Sequence, residues 1–185
     1  MNTAAADWER RVADLWAAFD DHDPADFLAA MKALAAELPA GDPVAAFETA
    51  SAYDATDREE EAAPRYREAL AAGLTGPRRR QAVIQLASTV RNLGRPEEGV
   101  ALLTAEREAE SDELDDAVAA FLALALVDAG REREAVALAL SALSRHLPMY
   151  NRSLARYADE LAGEAGEADE AGEAGEASEA DGAER

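Results

Sequence analysis

At 185 residues the chain is long enough for one domain with a sizeable core, and 49% of it is hydrophobic, about a quarter of the whole being alanine. It has no cysteine, which excludes a disulfide framework, a thiolate metal site and a cysteine nucleophile. A net charge of −21 argues against broad binding to nucleic acid or to an anionic membrane surface, because phosphate groups need a cationic face. In chain order, Met1 to Trp8 lack a basic region followed by an apolar run, so no signal peptide is expected. A helix is predicted from Trp8 to Phe19, where Trp8, Val12, Leu15, Trp16 and Phe19 share one face. Asp23-Pro24 opens a second helix, with Asp23 as the expected cap and Phe27, Met31, Leu34 and Leu38 as its buried stripe. These two make a hairpin over residues 1–42.

Asp42-Pro43 repeats the start signal for a helix to about Asp54, and its partner runs from about Arg58 to Ala72. A second pair spans roughly Pro77 to Leu93 and Pro96 to Glu110, and a third Glu113 to Ala129 and Arg131 to Arg145. The longest apolar run, Ala117 to Val127, is bounded by acids and falls short of the roughly 18 residues a membrane span needs. Pro148 stops the last pair. A final amphipathic helix over 148–162, carrying Leu154, Tyr157 and Leu161, reads as a cap. Residues 163–185 hold nine acids, one base and glycines every few positions without a large apolar side chain, the composition of a disordered acidic tail. The elements add up to an all-α protein, and the exclusions leave a cytoplasmic location.

Within residues 43–147 a pattern returns about every 36 residues. A small residue (Ala50, Ala87, Ala123) precedes an apolar one by three (Tyr53, Val90, Leu126). A turn position follows (Asp57, Gly94, Gly130), and then a second small residue (Ala62, Gly99, Ala135). Small side chains are required where the helices of a pair cross, since larger ones would hold them apart. Together with Tyr66, Ala69, Ala142 and Pro148, this pattern resembles the tetratricopeptide repeat, although Glu106 stands where an alanine is expected. Residues 73–94, GLTGPRRRQAVIQLASTVRNLG, are similar to the group-5 tetratricopeptide repeats known mainly from actinobacteria. The resemblance implies a right-handed superhelical array of helical hairpins, an α-solenoid that binds protein segments and carries no catalytic site.

In such an array the first helix of each pair lines a concave groove. That register assigns Gln81, Ile84, Gln85, Ser88, Arg91 and Asn92 to the groove from the second pair. The first pair offers Phe47, Glu48, Ser51 and Asp54, and the third Ala120, Phe121, Leu124 and Asp128. Gln81, Gln85, Ser88, Arg91 and Asn92 put hydrogen-bonding groups on one side of a helix, suited to a peptide backbone or a carboxylate, with Phe47 and Phe121 as apolar contacts. Arg78, Arg79 and Arg80 crowd the first turn of that helix, where cations oppose the helix dipole. They are candidates either for pairing with internal acids or for contacting an acidic ligand. Two histidines, no cysteine and no Gly-rich phosphate loop leave no nucleophile–base set, no metal cluster and no cofactor site. The expected partner is a protein or peptide, an acidic segment being one option. The alternative is a structural protein that self-associates, as a weak homo-oligomer, through its end helices.

Overall fold

The computed structural model describes residues 3–109 and 111–163. Among these there are helices and no strand: α1 (Thr3–Ala17), α2 (Pro24–Ala35), α3 (Pro43–Asp54), α4 (Glu59–Ala71), α5 (Pro77–Asn92), α6 (Pro96–Arg107), α7 (Asp115–Asp128), α8 (Glu132–Ser144) and α9 (151–163). A short 3-10 turn, Phe19–Asp21, follows α1. The expected acidic tail lies outside the described residues from position 164 onward. Two compact units divide the chain between Leu102 and Leu103, inside α6.

In the first unit each helix packs on its successor from α1 to α5, and α3 also touches α5. This is the contact pattern of stacked hairpins. The small residues sit where it needs them: Ala50 and Ala62 are completely buried, and Ala87 nearly so. Around them Phe47, Tyr66, Leu86 and Val90 fill the core between α3, α4 and α5. A second cluster of Trp8, Val12, Phe27, Leu28 and Met31 seals α1 against α2, with the Trp8 indole donating to the Leu34 carbonyl at 2.9 Å. In the second unit α7 packs on α8, and Val118, Leu122, Leu126 and Ala135 are buried.

The three turn positions share one backbone solution. Asp57, Gly94 and Gly130 all have positive φ (56°, 76° and 76°), the left-handed conformation that closes a helix. The amide of the next residue then reaches back over the turn: Arg58 to Tyr53 O, Arg95 to Val90 O, Arg131 to Leu126 O. That next residue is arginine each time, and each pairs with a glutamate three positions on, Glu61, Glu98 and Glu134. Asp42 caps α3 as expected, accepting from the Val44 and Ala45 amides. Asp23 does not cap α2 with its side chain; only its carbonyl takes part, accepting from Phe27 N at 3.0 Å.

Candidate functional site

The first helices of the hairpins in the first unit, α1, α3 and α5, line an open groove of about 640 Å³. Positions 9, 12, 13 and 16 of α1 face it at helical spacing, as do 47, 48 and 51 of α3 and 77, 78, 81 and 85 of α5. Its apolar surface comes from Val12, Trp16, Phe47 and Pro77, and its polar groups are Glu9, Glu48, Ser51, Arg78, Gln81 and Gln85.

Arg78 organises one end of this groove. Its Nε donates to Glu48 Oε1 at 2.8 Å, while Nη1 and Nη2 hold the two oxygens of Glu9 at 3.1 and 2.6 Å. The other oxygen of Glu48 accepts from the Trp16 indole at 3.1 Å. Glu48 is thus a buried carboxylate, its side chain 5% exposed, satisfied by a guanidinium and an indole. Burial works against the Arg78 charge, but its hydrogen bonds to Glu9 and Glu48 outweigh that and hold the guanidinium above its ordinary range. A cation in the first turn of a helix, unfavourable towards the dipole, is here offset by two carboxylates.

Deeper along α3 and α5 the polar groups bind one another. Ser51 Oγ donates to Gln85 Oε1 at 3.1 Å, and Thr89 Oγ1 to Asp54 Oδ1 at 3.0 Å. The Tyr66 hydroxyl reaches Asp54 Oδ2 at 3.4 Å. Burial raises the Asp54 carboxyl above the usual range, against the pull of its Thr89 and Tyr66 bonds. Burial also pushes the Tyr66 phenol up, reinforced by the neighbouring Asp54 charge.

Of the residues singled out from sequence, the groove brings together Phe47, Glu48, Ser51, Arg78, Gln81 and Gln85. Ser88, Arg91 and Asn92 continue the stripe along α5 beyond it, the first two half-buried and the third exposed. Phe121 stands half-buried on α7, in the second unit. Arg79 is exposed and Arg80 is buried, and both interact with other groups, as does Arg91. The α1 wall of Glu9, Val12, Ala13 and Trp16 precedes the repeats and lies outside the predicted groove, although Trp16 suits either core or a partner contact by sequence; the pairing of Arg78 with Glu9 spans 69 positions. The one available signal was the apolar face containing Val12 and Trp16, which reads equally well as core.

Hairpins stacked so that their first helices share a groove define a helical-repeat scaffold. The family model described as tetratrico peptide repeat matches residues 43–161, most of the chain, and the protein belongs to that family. Members are in general protein-interaction scaffolds and are typically non-catalytic. No curated protein and no solved structure gives a significant match. Among the described residues no helix is long and apolar enough to cross a membrane.

Proposed function

We propose that this protein is a non-catalytic scaffold of the cytoplasm that binds a protein or peptide segment in the groove between α1, α3 and α5. In this reading a hairpin over residues 1–42 precedes three repeats over 43–147, and a cap over 148–162 follows. The observation that carries it is the groove's composition, an apolar floor of Val12, Trp16 and Phe47 bordered by the amides of Gln81 and Gln85. Because Gln85 Oε1 already accepts from Ser51, its NH2 group is left to donate elsewhere, and a peptide carbonyl suits it. Ser88, Arg91 and Asn92 would extend this polar wall along α5.

The test is a pull-down from native lysate comparing the wild type with Ala13→Tyr. Ala13 is exposed on the groove wall, so the larger side chain fills the groove without entering the core. Loss of the same captured partner is expected; an unchanged partner list would overturn the groove reading. One observation favours the alternative of self-association. The exposed large apolar side chains among the described residues, including Leu124, Val127, Leu143, Met149 and Tyr150, all fall in the second unit. Light scattering decides this: a concentration-dependent oligomer abolished by Tyr150→Ser supports it, and a monomer at every concentration rejects it.

A further inference from the structure

We infer that the segment held in this groove is basic, and that Glu9 receives its cation; the inference rests on the groove reading above. The charges lining the groove are Glu9, Glu48 and Arg78, two negative and one positive. Their depth differs. The Glu48 side chain is 5% exposed and that of Arg78 27%, so these two neutralise each other inside. Glu9, with its side chain 49% exposed, is the charge that the groove presents to whatever approaches. Arg78 already gives an N–H from each of its three nitrogens to these carboxylates, so an acidic ligand meets the exposed charge of Glu9 before it reaches the guanidinium. A ligand guanidinium or ammonium instead adds to the set. Each Glu9 oxygen accepts one bond from Arg78 and keeps a further lone pair, and a single ligand cation brings the lining to neutrality.

The rest of the lining fits the same ligand. Val12 and Ala13 follow Glu9 on the same face of α1, and Trp16 and Phe47 continue the apolar strip. They would take the alkyl stem of a lysine or arginine and the apolar residue beside it, while Gln81 and Gln85 address the backbone. Approach is favoured from a distance as well, since the whole chain carries −21 and attracts a basic partner. The ligand class is therefore an extended segment with a lysine or arginine next to an apolar side chain.

The experiment selects peptides from a random displayed library on the immobilised full chain and measures the winners by fluorescence anisotropy. Winners are expected to contain a lysine or arginine beside an apolar residue, and their binding should weaken as salt rises from about 0.05 to 0.3 M. Glu9→Gln should lower affinity about fivefold, the range of a part-exposed charged contact, and Ala13→Tyr should abolish binding. Circular dichroism establishes that both variants are folded. Acidic winners, or tighter binding by Glu9→Gln, would overturn the basic-ligand inference while leaving the groove in place. Winners indifferent to Ala13→Tyr, or no winners, would overturn the groove reading and this inference with it.

Discussion

Asp57 stands in the left-handed conformation where the two later repeats place glycine. A side chain there costs about 1–2 kcal/mol in backbone strain, reduced for aspartate by its local hydrogen bonding, whereas glycine pays in unfolded-chain entropy. Asp57→Gly should therefore gain about 0.5 kcal/mol in urea unfolding, and Gly94→Ala should lose about 1 kcal/mol. A Cβ on Gly94 would meet nothing within 4 Å, so that loss isolates the backbone term. Asp54 supplies a second residue-scale test. Its carboxyl is raised by burial, so between its ordinary value of 3.8 and its raised native value the folded protein keeps a proton that the unfolded chain has released. Stability contributed by that proton is present below 3.8 and lost as pH rises through the window. Asp54→Asn removes the titration, so the variant should gain on the wild type as pH rises from about 4 to 7. A constant difference across urea melts would show that folding does not raise the Asp54 carboxyl.

At the scale of the helices, α4 carries Pro64 in its interior. Proline there removes the bond to the Glu60 carbonyl and crowds it, at a cost of about 3 kcal/mol partly offset by a stiffer unfolded chain. Pro64 is exposed, so Pro64→Ala leaves the core intact and should stabilise the protein by about 1–2 kcal/mol, read as a higher melting temperature. The helices were largely legible in advance because their ends are written locally. Pro43 behind Asp42, Pro77, Pro96, Gly94 and Gly130 each act on the backbone within one turn, and α3 and α5 begin and end within a residue or so of expectation. The α1 side of the groove was not legible in the same way. No local rule joins Glu9 to Arg78, because the two meet only after three successive hairpins have stacked. The arginine that follows each turn, and its glutamate three residues on, recur with the repeat but have no bearing on where the helices pack. They act in exposed pairs that the packing argument does not need.

For the molecule as a whole, charge is the dominant long-range term. Thirty-nine acids face 18 basic residues, and many of the arginines are already spent on exposed pairs such as Arg11–Glu37 and Arg156–Glu160. Such pairs contribute about 0–1 kcal/mol each, while the surplus negative charge repels itself throughout the compact state. Added salt screens both. The surplus should win, so the melting temperature should rise between about 0.02 and 0.5 M sodium chloride. A fall would show that the ion pairs outweigh the repulsion.

The two indoles of the first helix, one in the core and one in the groove wall, also give the protein an optical readout of its own. Trp8 is sealed in the core, 5% exposed, while Trp16 forms part of the groove wall with its N–H on Glu48. The chain has no other tryptophan. Emission from Trp8 therefore serves as an internal constant, and emission from Trp16 responds to whatever displaces water from the groove. Ligand occupancy can be followed on the unlabelled protein, and Trp16→Phe defines the silent background.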